Sequence, residues 1–194
     1  MSTIDYYNAN AQKYFDTTVG ADMSKQYDLF LKYVRENGRI LDFGCGSGRD
    51  SFSFKKMGYK VDAIDGSEEL CKLARERVGV NAQCMNFLDF EAHEEYDGIW
   101  ACATLLHLKK PELIDVLSRL RDGLVYDGCL YTSLKNGTGE EVTPEGRYYL
   151  YLPKEEFLDL SSDAGLQMVD YSASKSTCNP NETRFWNSYV LKRK

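Results

Sequence analysis

Residues 39–48 read RILDFGCGSG and give the clearest indication of the fold. Residues 39–43 form a short apolar run that is typical of a buried strand, and Gly44, Gly46 and Gly48 follow at once. A helix is predicted directly after them, and its free N–H groups can bind an anionic or polar group. Because ligands of open parallel sheets bind at the carboxyl ends of the strands, the sequence predicts a binding site at this turn.

Strand and helix patterns alternate around this stretch. Further strands are predicted over 59–64, 81–86, 96–103, 129–134, 167–174 and 184–192, and helices over 5–18, 24–37, 49–57, 67–77, 111–123 and 153–165. Apolar strands that alternate with helices indicate a doubly wound α/β sheet of mostly parallel strands. The connection 175–183 is too short for a helical crossover, so the last of the seven strands is expected to be antiparallel. We expect a single domain, with residues 1–37 as an N-terminal helical cap and 38–194 as the core.

Composition excludes several classes of protein. The chain has 14 Tyr, 9 Phe and 2 Trp, too many aromatic side chains for a disordered protein. The longest uncharged apolar stretch, residues 98–108, is far shorter than the roughly 18 residues that a membrane span needs. The net charge is −6 and the only basic cluster is residues 192–194, so neither a membrane nor a nucleic acid is an expected partner.

The cysteine and histidine content bears on compartment and metal binding. No secretory signal is visible at the start, and none of the 6 Cys forms a Cys-x-x-Cys pair. The cysteines are therefore expected to be reduced thiols in a cytoplasmic protein. Neither of the 2 His has a partner at metal-ligand spacing, so no metal site is expected. The sequence does not indicate an oligomeric state.

Asp65 ends the second predicted strand, beside the glycine turn. A carboxylate there can accept hydrogen bonds from both hydroxyls of a ribose. Two plainer interpretations stay open: an ordinary tight turn at the glycines, and an acid at a helix N-terminus beside Ser67. The two motifs fall at the ends of adjacent strands, and this coincidence favours a bound ribose.

Residues 41–48, LDFGCGSG, resemble the first motif of the class I S-adenosylmethionine-dependent methyltransferases, and Asp65 resembles their ribose-binding acid. The resemblance covers residues 39 to about 134, and the antiparallel last strand fits it as well. It implies a Rossmann-like fold, S-adenosyl-L-methionine as cofactor and S-adenosyl-L-homocysteine as product. Residues 48–51, GRDS, are similar to the tellurite-resistance branch of small-molecule methyltransferases.

The resemblance also implies roles for individual residues. Asp42 would orient the glycine loop or the methionine amino group, and Asp65 would hold the ribose. The loop and helix start that would lie under the methionine part are Gly44, Cys45, Gly46, Gly48 and Arg49. The adenosine edge and the adenine ring would contact Gly66, Ser67, Met85, Asn86 and Phe87. At the end of the fourth strand, Ala101 and Cys102 would pass close to the sulfonium.

The acceptor side is less constrained by the sequence. The motifs of amino-group and cytosine methyltransferases are missing after the fourth strand, where the chain reads TLLH, residues 104–107. A small-molecule acceptor is therefore expected. His107 is the candidate proton acceptor there; the alternative is a packing or helix-start histidine.

Aromatic and arginine side chains are expected to form the acceptor wall. Tyr6, Tyr7 and Tyr14 are candidates for a lid over the pocket, although packing under their helix is an alternative for at least two of them. Arg147 lies in the loop after the fifth strand, and Arg184 and Trp186 start the last strand. All three are expected around the pocket, where the two arginines would favour an anionic acceptor. The alternative is that both arginines are surface residues paired with acids.

Two rival functions remain at this point. A nicotinamide-dependent oxidoreductase would share the sheet, the glycine turn and the position of Asp65, but its third glycine is spaced differently. A non-catalytic protein that binds S-adenosylmethionine would share the whole cofactor site.

Overall fold

The computed structural model describes residues 2–175 and 185–194, in which one large sheet forms the centre. In sequence order, the strands of these residues are β1 (Arg39–Phe43), β2 (Lys60–Asp65), β3 (Ala82–Cys84), β4 (Tyr96–Cys102), β5 (Leu124–Lys135), β6 (Gly139–Val142), β7 (Tyr148–Tyr151), β8 (Leu166–Ser174) and β9 (Trp186–Arg193).

The large sheet has seven strands in the order β3-β2-β1-β4-β5-β9-β8. Strands β1 to β5 pair in parallel, and β9 pairs antiparallel with both β5 and β8. The chain turns from one half of the sheet to the other at β1 and β4, which places the carboxyl end of β1 at the switch point. The predicted doubly wound, mostly parallel sheet with an antiparallel last strand is confirmed.

Helices cover both faces of this sheet. They are α1 (Thr3–Ala9), α2 (Ala11–Thr18), α3 (Ser24–Leu31), α4 (Arg49–Lys56), α5 (Glu68–Leu73), α6 (Lys110–Gly123) and α7 (Lys154–Asp163). Ile40, Trp100 and Tyr131 pack on one face with Phe30 of α3 and Phe54 of α4. Neighbouring strand residues point the opposite way and pack with α6 and α7; they include Leu41, Ile99 and Leu130.

Two local predictions are wrong. Residues 5–18 form two helices that meet at Asn10, which has a non-helical φ of −116° and ψ of 17° and whose side-chain amide donates to the Tyr6 carbonyl at 2.9 Å. The segment 136–151, predicted as a loop, contains the β6–β7 hairpin. All four residues of β6 are exposed, so its sequence lacks the apolar alternation that marks a half-buried strand.

Candidate functional site

The glycine turn after β1 adopts a conformation that side chains would block. Gly44, Gly46 and Gly48 have φ angles of 84°, 51° and 79°, in the left-handed region. A Cβ at Gly44 would lie 2.3 Å from the hydroxyl oxygen of Thr104. The N–H groups of Gly44 and Cys45 both donate to the β2 carbonyl of residue 64 at 2.9 Å, which fixes the turn beside the end of β2.

Asp65, the last residue of β2, is held by this turn. One carboxylate oxygen accepts from the Gly46 N–H at 2.9 Å and the other from the Ser67 N–H at 2.8 Å. Burial raises the pKa of Asp65, and these two N–H groups oppose the rise. Each oxygen keeps a lone pair, so the carboxylate can still accept hydrogen bonds from ligand hydroxyls.

A small cavity of about 70 Å³ opens in front of Asp65 and the glycine turn. The predicted cofactor residues in its wall are Gly44, Gly46, Asp65, Gly66, Ser67, Phe87 and Cys102. A Cβ at Gly46 would lie 3.2 Å from the Tyr14 ring, and one at Gly66 would lie 3.3 Å from Ile4. The glycines keep this space open beside a carboxylate, which fits a ligand that carries ribose hydroxyls.

Six other predicted cofactor residues line neither this cavity nor the larger one described below. Asp42 is buried behind the turn and accepts from the Ser51 hydroxyl at 2.5 Å; burial and the neighbouring Asp50 raise its pKa. The Asn86 side chain accepts from the backbone of Leu88. The six residues are Asp42, Cys45, Gly48, Met85, Asn86 and Ala101.

Arg49, predicted on the cofactor side, lies in the wall of the larger cavity. Its guanidinium donates to both carboxylate oxygens of Asp50, at 2.7 and 2.8 Å, and to the Thr18 carbonyl. Asp50 also accepts from the Tyr27 hydroxyl at 2.5 Å and the Trp100 indole at 2.9 Å. The charge of Arg49 is therefore already balanced by a buried, fully bonded carboxylate.

The larger cavity, of about 280 Å³, lies beside the small one. Tyr14, Arg147 and Trp186, predicted on the acceptor side, are in its wall. Tyr6 is outside the wall, and its ring stacks 4.4 Å from the Arg147 guanidinium carbon. Arg184 lies outside the described residues.

One set of side chains belongs to the walls of both cavities. These shared residues are Tyr7, Tyr14, Cys102, Ala103 and His107. Burial raises the pKa of the Cys102 thiol to about 12, so this wall residue stays uncharged. The two cavities are therefore adjacent, and they meet at these side chains.

His107 has a defined orientation at this shared wall. Its Nδ1 lies 2.7 Å from the Tyr148 carbonyl oxygen and its Nε2 lies 2.9 Å from the Tyr7 hydroxyl. A carbonyl only accepts, so Nδ1 carries the proton and Nε2 of the neutral ring accepts from Tyr7. Burial lowers the pKa of His107 to about 4, with a smaller contribution from Arg147 and Lys135. Nε2 is therefore free of a proton at neutral pH.

Sequence reasoning missed contacts that join several residues of the two walls. Tyr7, a predicted lid candidate, lies in both walls, but its spacing also fits a packing residue, so its contact with His107 is invisible in the sequence. Ala103 has a positive φ of 54°, which nothing in the sequence signals. Lys135 at the end of β5 and Tyr149 on β7 line the larger cavity because of the unpredicted hairpin.

The described residues contain neither a metal-binding cluster nor a membrane-spanning helix. Residues 2–175 and 185–194 contain no group of three or more His, Cys, Asp or Glu placed to hold a metal ion. Within the same ranges, no helix has the length and apolar character to cross a bilayer.

A family model for the methyltransferase domain matches residues 40–128. An uncharacterized methyltransferase of Staphylococcus carnosus is 25% identical, over 81% of this chain and 79% of its own length. The putative methyltransferase YqeM of Bacillus subtilis is 32% identical, over 54% of this chain and 47% of its own length. The chain therefore spans about half the length of that second relative.

A solved structure shares the whole fold. The Burkholderia thailandensis 1,6-didemethyltoxoflavin-N1-methyltransferase, crystallised with 1,6-didemethyltoxoflavin and S-adenosylhomocysteine, has a TM-score of 0.80 at 20% identity. The match covers 98% of this chain and 85% of that one. The sequence and fold comparisons thus support a class I S-adenosylmethionine-dependent methyltransferase, with S-adenosylmethionine as its cofactor. The oxidoreductase alternative is rejected.

Proposed function

We propose that this protein transfers a methyl group from S-adenosylmethionine to a small molecule held in the larger cavity. The observation that supports this most is the wall shared by two adjacent cavities, one of them at the glycine turn and Asp65. S-adenosylmethionine supplies a methyl group on a sulfonium, from which an acceptor atom displaces it in line. The chain supplies alignment and exclusion of water around that displacement.

The roles proposed for the cofactor-binding residues are based on their positions in the wall of the small cavity. Asp65 would accept from the ribose hydroxyls, while Gly44 and Gly46 allow close approach of the ligand to the backbone. Gly66, Ser67 and Phe87 would contact the adenosine, and Cys102 the side of the sulfonium. The predicted cofactor residues that line neither cavity are proposed to support the residues that do line one. Asp42, for example, accepts a hydrogen bond from Ser51 on α4.

His107 is proposed as the proton acceptor. When the acceptor atom is an O–H or N–H group, its proton passes to the Tyr7 oxygen while the hydrogen-bonded Tyr7 proton moves to Nε2, as the new bond to the methyl carbon forms and the bond from that carbon to sulfur breaks. The Tyr148 carbonyl fixes the ring and keeps the other nitrogen protonated, and Tyr7 holds Nε2 at the shared wall.

The acceptor is proposed to be a small molecule rather than a nucleic acid. The net charge of −6 disfavours binding to a phosphate backbone. The Burkholderia protein was crystallised with a small heterocyclic molecule, and GRDS at 48–51 points to the tellurite-resistance branch of small-molecule methyltransferases. The five described cysteines are free thiols, which fits the proposal that the protein acts in a reducing cytoplasm. We also propose that the N-terminal cap and the core form one domain.

Calorimetric titration tests the cofactor site directly. S-adenosylmethionine and S-adenosylhomocysteine should bind at micromolar concentration, and NADH should not bind. Formation of S-adenosylhomocysteine is then followed with a panel of small phenols, carboxylic acids and N-heterocycles. Binding without turnover on any acceptor would favour the non-catalytic alternative.

Asp65→Ala is expected to weaken binding of S-adenosylhomocysteine by roughly 10- to 100-fold, because it removes charge-assisted hydrogen bonds to the ribose. The measurement is the dissociation constant from calorimetry. The matched control is Asp127→Ala, at an exposed residue that lines neither cavity, which should bind as the unaltered protein does. Unchanged affinity in Asp65→Ala, with the protein folded by circular dichroism, would contradict the placement of the site.

A further inference from the structure

The described wall of the larger cavity carries cationic side chains, in contrast to the acidic chain as a whole. The chain carries a net charge of −6. Among the described residues, however, the wall of this cavity contains Arg49, Lys135, Arg147 and Lys175 and no Asp or Glu. Arg49 is paired with Asp50, so its charge is already balanced. A concave site lined by one sign of charge attracts ligands of the other sign.

Arg147 is the cation in this wall whose surroundings point most clearly to a ligand. Its guanidinium lies over the rings of Tyr6 and Tyr149, at 4.4 and 5.5 Å, and within the described residues it forms no ion pair with a carboxylate. Its Nε is buried and has no hydrogen-bond partner there. A guanidinium that lies over two aromatic rings and keeps an unpaired Nε–H can bind a planar anion.

The Tyr149 ring lies close both to cationic side chains and to His107, the proposed proton acceptor. Arg147 lies 5.5 Å and the Lys135 ammonium 4.6 Å from its centre, and the His107 ring lies 4.9 Å away. Trp186 adds a second ring, 5.6 Å from the Lys135 ammonium. Two cations, a proton acceptor and flat aromatic walls are thus gathered at one end of the cavity.

We propose that the methyl acceptor is a small aromatic or heteroaromatic anion whose carboxylate, or equivalent planar anionic group, binds Arg147. This inference rests on the proposed function and names the substrate class of the same cavity. The acceptor's ring lies among the tyrosines and Trp186, and its O–H or N–H group faces His107. Arg147 is a binding residue and takes no part in the bond exchange.

Paired probes that differ only in charge test this proposal. The protein is first saturated with S-adenosylhomocysteine, and that binding is recorded. It is then titrated by calorimetry with salicylate against salicylamide, and with 4-hydroxybenzoate against 4-hydroxybenzamide. Each acid should bind about tenfold or more tightly than its amide, because a hydrogen bond to a charged group contributes that much.

Substitutions at Arg147 test whether this residue causes the preference for acids over amides. Arg147→Gln should bring the ratio of acid to amide affinity close to one and leave the affinity for S-adenosylhomocysteine unchanged. Arg147→Lys, which keeps the charge and loses the planar fork, should retain part of the preference. Arg77→Gln removes the same charge at an exposed residue outside both cavities, and should bind all probes as the unaltered protein does.

The outcomes separate this inference from the proposed function. Failure of S-adenosylhomocysteine to bind the unaltered protein would reject both. If it binds, and the acids bind no better than the amides or do not bind at all, the inference alone is overturned. Weaker S-adenosylhomocysteine binding in Arg147→Gln would also overturn it, because the guanidinium would then hold the cofactor's own carboxylate.

Discussion

His107→Gln is expected to lower kcat by about 10²- to 10⁴-fold, the usual contribution of a positioned general base. Glutamine can replace one of the hydrogen bonds to the Tyr148 carbonyl and the Tyr7 hydroxyl, but it cannot take a proton at neutral pH. The loss should therefore appear in kcat while affinity for S-adenosylhomocysteine stays unchanged.

The measurement uses whichever panel compound the unaltered protein methylates. His93→Gln is the matched control, because this second histidine is exposed and lines neither cavity. Activity of His107→Gln within threefold of the unaltered protein would show that His107 only packs at the shared wall.

The pH dependence gives a second readout for His107. Since burial, Arg147 and Lys135 hold its pKa at about 4, Nε2 stays unprotonated throughout the neutral range. kcat/KM is therefore expected to be unaffected by His107 from pH 8 down to about 5 and to fall as the pH approaches 4. A fall centred near 6.5, the ordinary histidine pKa, would show that the imidazole is more solvated than its contacts indicate.

Asp50→Asn is expected to lower the free energy of unfolding by about 3–5 kcal/mol, the cost of leaving one member of a buried ion pair alone. The variant leaves the Arg49 guanidinium, which is mostly buried, without its counter-charge. It also turns an amide N–H₂ toward the Tyr27 hydroxyl or the Trp100 indole, both of which donate to the carboxylate in the structure.

Urea unfolding followed by tryptophan fluorescence measures this loss. Asp28→Asn, at an exposed residue of α3, should change stability by about 0.5 kcal/mol or less. Burial alone would raise the pKa of Asp50, but Arg49, Tyr27 and Trp100 outweigh burial and hold the pKa below its usual value. Its stabilising contribution is thus complete above about pH 4 and is lost as the pH falls through the lowered pKa. A loss below 1 kcal/mol at pH 7 would contradict this account of the cluster.

The glycine turn and Asp65 could be predicted because their signals are local. Three glycines after an apolar run require a special backbone, and parallel strands place their carboxyl ends at one edge. The parallel direction of the main strands follows from the alternation of strands and helices. The placement of Gly44, Gly46 and Asp65 in one wall needed no knowledge of distant contacts.

The acceptor side could not be predicted in this way, because distant segments build it. His107 is oriented by the carbonyl of Tyr148, 41 residues away, and by the hydroxyl of Tyr7, 100 residues away. Tyr148 lies on a hairpin whose exposed partner strand has no apolar pattern. His107 and Arg147 could be proposed as site residues from the sequence. The contact of both with the Tyr149 ring could not, because it depends on the β6–β7 hairpin.

Helix α1 has no buried residue, yet three of its side chains close the site. Thr3 accepts from the Tyr148 N–H at 2.9 Å, Asn8 accepts from the Ser67 hydroxyl at 2.7 Å, and Tyr7 bonds His107. A helix held mainly by such contacts undocks at low free energy, so its amide hydrogens should exchange with solvent before those of the sheet. A dissociation constant for any ligand in the small cavity therefore reports two equilibria together: the contacts that the ligand makes, and the fraction of molecules in which α1 is docked.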